Sequence, residues 1–175
     1  MAMGSPLGPL LANVFMSHIE REDKLPSFYR RYLDDTLTIM PNIETASNFL
    51  DTLNKAHSSV KFTMEIECNE MLPFLGIQLL NQSPQIETKV YVKPTNAGLL
   101  LHYKSHADNW YKKGLLRTML DRAHCLSSSW THFSDECDHL KTVFSRLKYP
   151  KHLVNSLIKS FVDLKVCHQQ QQKQI

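Results

Sequence analysis

Two adjacent carboxylates, Asp34 and Asp35, lie in the segment RRYLDDTLTIM, residues 30–40. Two unit charges ~4 Å apart repel by ~1 kcal/mol in water and by ~4 kcal/mol at an effective dielectric constant of ~20. A cation beside them would offset that repulsion, and Mg2+ binds one or two carboxylates together with water and phosphate oxygens. Two such ions can hold the attacking and leaving oxygens of a phosphoryl displacement. The pair is therefore a candidate metal site; the alternative is that aspartate is simply common in turns.

Basic side chains form a second group that could do chemistry. Residues 1–100 contain 8 Lys and Arg against 11 Asp and Glu, whereas residues 101–175 contain 12 against 6. Clustered cations neutralise phosphates, so this imbalance favours a polyanionic partner such as nucleic acid. The candidate phosphate contacts are Lys112, Lys113, Arg117, Arg122, Arg146, Lys148 and Lys151. The alternative is an ordinary solvated surface.

Histidine and cysteine form a weaker pattern in the same region. Five of them have zinc-ligand side chains: His124, Cys125, His132, Cys137 and His139. These five show neither C-x-x-C nor H-x-x-x-H spacing, and Cys137 falls on an apolar helix stripe, so a zinc site is disfavoured. The chain's four cysteines form no close pair, which is typical of reduced thiols in an intracellular protein.

The elements that would position the carboxylates can be read from the apolar pattern. Leucine, valine and phenylalanine recur at helical spacing after Pro9, which predicts a helix over about residues 9–20 with a tight loop, MGSPLG, before it. Residues 28–40 alternate on both sides of the Asp pair, which predicts a β-hairpin with Asp34 and Asp35 as its two turn residues.

The following segment predicts the rest of an α+β domain. Asn42 can cap a second helix, and three strands are expected in VKFTMEIE, LPFLGIQLL and IETKVYVK. Residues 1–93 would therefore form an antiparallel sheet covered by helices on one face.

A domain boundary is expected at KPTNAG, and the apolar residues beyond it recur at helical spacing. Three apolar stripes predict a three-helix, helix-turn-helix-like bundle over residues 94–165, followed by a polar, disordered tail over residues 166–175. No apolar run approaches the ~20 residues that span a bilayer, and the first residues lack the basic start of a secretion signal. We therefore expect an intracellular protein, nuclear or cytoplasmic, that is neither secreted nor bound to a membrane.

The motifs together resemble the reverse transcriptases. YLDD, residues 32–35, resembles their Y-x-D-D motif, and MGSPLGPLLANVFMSHIE, residues 3–20, resembles the Gly-Ser-Pro loop and helix that precede it. VKFTMEIECNEMLPFLGIQL resembles the strands that follow, and the segment from VYVKPTNAG to about residue 165 resembles a strand and a helical thumb. The likeness is closest to the reverse transcriptases of Penelope-like retroelements, and it implies the second half of a polymerase palm.

The resemblance also implies roles for individual residues. Asp34 would be the principal Mg2+ ligand, Asp35 a weaker one, and Tyr32 would lie near the primer end. The loop residues Gly4, Ser5 and Pro6 would line the template and the incoming deoxynucleoside triphosphate. The partners would be an RNA template and a DNA primer, and the ancestral reaction would be RNA-templated DNA synthesis.

Two departures from the family bear on activity. The family's third catalytic aspartate and its basic fingers residues lie upstream of the loop at which this chain starts, so we expect the isolated chain to be inactive. Gly76 stands where relatives usually have an acid, and Gly8 where they usually have serine. Two alternatives to a polymerase fragment remain: a non-enzymatic nucleic-acid-binding helical module, and a retroelement remnant without function.

Overall fold

The chain forms two compact units, Met1–Ile66 and Glu67–Ile175. The computed structural model describes residues 6–20 and 25–172, with side chains as far as residue 167. The first unit contains α1 (Gly8–Ile19), β1 (Phe28–Tyr32), β2 (Asp35–Ile39) and α2 (Ile43–Ala56). The second contains β3 (Met71–Phe74), β4 (Ile77–Gln82), β5 (Gln85–Val90), α3 (Asn109–Leu126), α4 (Trp130–Arg146) and α5 (Lys151–Gln172). The expected α+β class is confirmed, but the division between the units lies before β3 rather than after β5.

The predicted hairpin is present, with its turn shifted by one residue. In the β1–β2 register Tyr32 pairs with Asp35, so the two turn residues are Leu33 and Asp34. Asp35 therefore begins β2 instead of sharing the tip. Leu33 has φ of 55°, a left-handed conformation that costs a residue with a Cβ roughly 1–2 kcal/mol.

A network between α1 and β1 holds this hairpin. The Tyr29 hydroxyl donates to Glu20 Oε1 at 2.5 Å, and Arg31 Nε donates to Glu20 Oε2 at 3.0 Å. Arg31 Nη1 also donates to the Leu33 carbonyl at 3.2 Å and to Asn13 Oδ1 at 3.1 Å. Burial, and then the Glu20 hydrogen bond, raise the pKa of Tyr29 to about 12. One arginine thus ties the strained turn to the helix before it.

The predicted cap of α2 is present, but the strand expected over residues 60–67 is absent. The Asn42 side chain accepts from the Thr45 N–H at 2.8 Å. Residues 60–67 pair with no strand in the described part of the chain. Instead the Asn54 side chain accepts from the Phe62 N–H at 2.7 Å and donates to its carbonyl at 3.2 Å. An amide side chain therefore takes the place of a neighbouring strand for that residue.

The run LPFLGIQLL, expected to be one strand, is a hairpin. Leu75 and Gly76 form its turn with φ of 47° and 80°, which is the sign pattern of a type I′ hairpin turn. A Cβ on Gly76 would lie 2.9 Å from Arg122 Nη2, so the end of that flexible side chain would have to shift, and the positive φ is the stronger reason for glycine here. The described residues therefore form two separate antiparallel sheets, β1–β2 and β3–β4–β5, where a single sheet was expected.

The three predicted helices form the core of the second unit. Its buried side chains come from all three helices and from the turn before α5: Leu116, Leu120, Ala123, Phe133, Cys137, Leu140, Phe144, Tyr149, Val154, Ile158 and Phe161. The sheet joins this core through β5, because the Thr88 N–H donates to Ser128 Oγ at 2.9 Å and Val90 packs against the cluster.

A tight turn of four residues connects α4 to α5. The Tyr149 N–H donates to the Phe144 carbonyl and the Lys148 N–H to the Ser145 carbonyl, both at 3.0 Å, which is the hydrogen-bond pattern of a Schellman motif. Lys148 takes the left-handed position of that motif, with φ of 64°. Pro150 then precedes the first residue of α5, where a missing N–H costs no helical hydrogen bond.

The polar tail is more ordered than expected. Helix α5 continues to Gln172, so residues 166–172 are helical rather than disordered; glutamine is a good helix former and α5 is already nucleated by its packing. Residues 173–175 lie outside the described part of the chain. Among the described residues, no helix is both long and apolar enough to cross a bilayer.

Candidate nucleic-acid interface

A run without acidic residues spans the end of α4, the turn and the first part of α5, and its exposed side chains form the α4–α5 surface. Between His139 and Val162 the sequence contains five Lys and Arg residues and no Asp or Glu. All five side chains are exposed: Lys141, Arg146, Lys148, Lys151 and Lys159. Within the described part of the chain, only Lys141 of these five forms an ion pair, with Asp138 at 2.8 Å. The other four leave their charge available to a ligand.

Polar side chains accompany these cations on one face of α5. His152, Asn155 and Ser156 are exposed between Lys151 and Lys159. Residues three and four apart are neighbours on a helix, so these five form one continuous patch. The opposite side of α5 is buried through Val154, Ile158 and Phe161. Sequence reasoning missed Lys159 and Asn155, although the acid-free run was visible in the sequence.

A groove of about 220 Å³ lies between α4 and α5 beside this patch. Its lining includes Lys141, Ser145, Lys151 and Asn155, together with the edge of Tyr149. The Lys151 ammonium, the Ser145 hydroxyl and the Asn155 amide are hydrogen-bond partners that suit a phosphate, whereas the Lys141 ammonium is already paired with Asp138.

Lys112 is not available to a ligand, which corrects its assignment as a phosphate contact. Only 7% of the residue is exposed. Its Nζ donates to the Ser105 carbonyl at 3.0 Å and lies 5.3 Å from the centre of the Tyr103 ring. A burial pattern read from one face of α3 could not reveal this, because the loop before the helix folds back over Lys112.

The remaining predicted contacts on α3 are exposed. Lys113 and Arg117 form no ion pair within the described residues. Arg122 is also exposed, but its Nη2 lies 3.5 Å from the Gly76 carbonyl and covers the β3–β4 turn. The guanidinium of Arg122 thus contacts the sheet, whereas Lys113 and Arg117 form no ion pair among the described residues that would compete with a ligand.

Three of the five candidate zinc ligands have other contacts in the fold. His124 packs edge-on against Trp130, Phe133 and Phe161, and burial lowers its pKa. Burial raises the pKa of the Cys137 thiol to about 11, which disfavours the thiolate that a metal requires. His132 Nε2 lies 2.7 Å from Glu87 Oε2, joining α4 to β5.

The hairpin presents its predicted site residues to solvent. Tyr32 is 61% exposed and both aspartates are exposed, with Asp34 in the turn and Asp35 at the start of β2. Pro6 lies in the turn before α1 and is exposed, whereas Gly4 and Ser5 lie outside the described residues. The structure therefore places Tyr32 and the two aspartates together and does not test the loop.

The donor set at the hairpin is incomplete for a two-ion catalytic centre. Two carboxylates match the ligands that one hydrated Mg2+ takes from a protein. Within residues 6–20 and 25–172, no group of three or more His, Cys, Asp or Glu side chains is placed to hold a metal.

One protein-family model matches the part of the chain that contains the helical bundle. Residues 99–159 match the family model described as the animal helix-turn-helix domain. The matched segment begins ten residues before α3 and includes α4, the Schellman turn and the first part of α5. No curated protein and no solved structure matches the chain.

Proposed function

We propose that residues 99–159 form a helix-turn-helix module that binds duplex nucleic acid, with α5 as the helix that enters the major groove. The observation that carries the proposal is the exposed face of the first part of α5, residues 151–162, which combines cations with polar side chains and contains no carboxylate. In helix-turn-helix proteins the second helix of the motif enters the groove, and its N-terminal residues contact base edges. The family match over the same residues supports this assignment.

The proposed contacts divide by chemistry. Arg146, Lys148, Lys151 and Lys159 would neutralise phosphates, and the α4–α5 groove would receive one phosphate beside Lys151. Asn155 lies one turn into α5, where its amide could form two hydrogen bonds with an adenine edge. Phosphate contacts supply affinity without sequence information, so any sequence preference depends on Asn155 and its neighbours.

Binding of a labelled DNA duplex by the full chain, measured over a range of salt concentrations, tests the proposal. Each neutralised phosphate contributes a slope of about −0.9 to log K against log salt, so three to five contacts would lower the affinity roughly a hundredfold between about 50 and 200 mM salt. Changing both Lys151 and Lys159 to alanine removes two contacts and should make the slope less negative by about 2.

A matched control separates the site from general charge. Lys55 and Lys61 are exposed lysines of the first unit, and changing both to alanine removes the same charge. That variant should keep the wild-type slope. Equal slopes in the two double variants, or an affinity that does not depend on salt, would show that the face of α5 is only a solvated surface.

A second candidate function is that the first unit is part of a reverse-transcriptase palm of the Penelope-like type. The observation that favours it is the hairpin, which carries YLDD across a two-residue turn directly after a helix. In that case Asp34 and Asp35 would hold Mg2+, and RNA template, DNA primer and deoxynucleoside triphosphates would be ligands of a larger assembly. Because the isolated chain is expected to be inactive, Mg2+ binding tests it: binding that disappears in Asp34→Asn would support it, and no binding, or binding unaffected by that substitution, would exclude it.

A further inference from the structure

Two large aromatic side chains are exposed at the start of α3. Trp110 is 73% exposed and Tyr111 is 67% exposed. The Asp108 carboxylate caps the helix by accepting from the Trp110 N–H at 2.7 Å, which fixes the backbone of the tryptophan in the first turn. A single exposed apolar residue needs no explanation, but the neighbours of Trp110 are unusual.

Two cations and a glycine lie on the same side of α3 as Trp110. Lys113, Gly114 and Arg117 lie three, four and seven residues after Trp110, so they occupy the same side of α3. A Cβ on Gly114 would meet no heavy atom within 4 Å, which leaves space beside the indole. Of the carboxylates near this row, Asp108 accepts from the Trp110 N–H, and Asp121, one turn after Arg117, pairs with Lys165 at 3.2 Å.

We infer that Trp110, Lys113 and Arg117 form a binding site for an unpaired nucleotide, with the base stacked on the indole and its phosphates on the two cations. The inference deepens the proposed function, on which it rests for the presence of nucleic acid near the bundle. Every base has a π face, so stacking tolerates any sequence. The ligand class is therefore single-stranded nucleic acid next to a duplex, such as an overhang.

The composition of the row argues for a nucleotide over an apolar protein partner. An apolar partner would gain from neighbouring apolar side chains, whereas here the positions beside the indole are two cations and a glycine. A glycine leaves room for a planar group, and the cations match the charge of a nucleic-acid backbone.

Fluorescence and affinity together test the site in the full chain. Trp130 is the other tryptophan, and Trp130→Phe would leave Trp110 as the single indole emitter while keeping a ring against Phe133. In that background, adding a duplex with a single-stranded overhang should quench the emission, and the blunt duplex of the same sequence should quench it much less. The two probes differ only in unpaired bases.

Substitutions at Trp110 separate stacking from apolar contact. Trp110→Leu keeps an apolar side chain and should lower the affinity for the overhang duplex about fivefold or more, with little change for the blunt duplex. Trp110→Phe should restore most of the affinity. Tyr111→Leu changes an equally exposed aromatic residue on the adjacent row, where Leu115 and Thr118 follow, and should have no such effect.

The outcomes distinguish this site from the helix-turn-helix proposal. Overhang binding that depends on Trp110, without blunt-duplex binding, would support the site and overturn the duplex-binding function. Blunt-duplex binding that Lys151→Ala and Lys159→Ala weaken, with no quenching and no effect of Trp110→Leu, would overturn the site alone. If Trp110→Leu binds both duplexes as tightly as the wild type does, or if it binds both more weakly by the same factor, the proposed stacking site is contradicted. Binding of neither probe by the wild-type chain overturns both proposals.

Discussion

Lys148 has one role through its backbone, and the proposed function gives its charge a second. Its backbone adopts φ of 64° to complete the turn after α4, and its side chain is exposed. The two roles make opposite demands, because glycine suits the backbone and lysine suits a phosphate. A residue that accepts conformational strain while carrying an exposed charge is a reason to look for a ligand at that turn.

Replacing Lys148 by glycine and by alanine separates these roles. Lys148→Gly should raise the free energy of unfolding of the bundle by about 1 kcal/mol, because glycine adopts a positive φ without a Cβ penalty. Lys148→Ala keeps the Cβ and should give no such gain. Both variants lose one cation, so the slope of log K against log salt for duplex binding should become less negative by about 1.

Urea unfolding followed by circular dichroism measures the first effect, and titrations at several salt concentrations measure the second. A gain in stability for both variants would show that removal of the charge, not relief of the turn, causes it.

Lys112 and Lys113 provide a second test at adjacent positions. Lys112→Ala removes the hydrogen bond to the Ser105 carbonyl and the contact with the Tyr103 ring, so the unfolding free energy should fall by roughly 1–2 kcal/mol while the salt slope stays unchanged. Lys113→Ala should do the reverse: it should lower the slope by about 1 and change stability by less than about 0.5 kcal/mol. A reduced slope in Lys112→Ala would show that the buried lysine reaches nucleic acid.

At the scale of elements, patterns predicted every helix but not which extended segments would pair. The stripes of α3, α4 and α5 are long and periodic, and packing against one another is the only way to bury them. Alternation from Val60 to Ile66 predicts an extended chain equally well, but a strand also requires a partner, which alternation cannot specify. The Leu75–Gly76 turn was missed because an apolar residue at a positive φ gives no turn signal in sequence.

His124 makes the stability of the bundle depend on pH. Burial lowers its pKa, and Lys165 lowers it further while Asp121 acts in the opposite direction. A histidine with a lowered pKa binds its proton more weakly in the folded state, so its contribution is complete above the unfolded pKa of ~6.5 and is lost as the pH falls through the folded value.

Wild-type protein and His124→Phe, unfolded in urea at about pH 5 and about pH 7.5, isolate this contribution, because the other titrating groups cancel in the difference. The wild type should lose more stability on acidification than the variant does, since phenylalanine keeps a ring against Trp130, Phe133 and Phe161 and has no proton to bind. Equal losses in the two proteins would show that His124 titrates in the fold as it does in the unfolded chain.

At the scale of the whole molecule, burial is concentrated in the second unit. The contiguous core lies between Leu116 and Phe161, whereas Ile19 and Leu53 are the buried apolar residues in the described part of the first unit. Leu10 and Val14 of α1, and Leu7 just before it, are each exposed to about 60%. The Gly-Ser-Pro and Y-x-D-D parts of the resemblance to a polymerase lie in this first unit, whereas its later strands lie in the second. Sequence alone does not decide the catalytic role of the hairpin, because that role depends on further metal ligands for Asp34 and Asp35.

A chain that begins at Glu67 should therefore fold and bind by itself. It retains the complete core, the β3–β5 sheet and every exposed cation of the α4–α5 surface. We expect a cooperative urea transition by circular dichroism and the same salt slope with duplex DNA as the full chain has. A loss of cooperativity would show that the first unit supports the core, and a flatter slope with intact folding would assign phosphate contacts to the first unit.

The segment before α3 is fastened to the turn between α4 and α5. The Tyr103 N–H donates to the Leu147 carbonyl and the Tyr149 hydroxyl to the Leu101 carbonyl, both at 3.0 Å, and the two rings lie 5.2 Å apart. These contacts close a long stretch of chain, and Tyr149 is only 4% exposed. The amide of Tyr103 lies outside any helix or strand, yet its hydrogen bond ends on the turn that joins two helices of the bundle. We therefore expect its hydrogen exchange to be as slow as that of the central amides of α4, so that a loop residue reports the free energy of global unfolding.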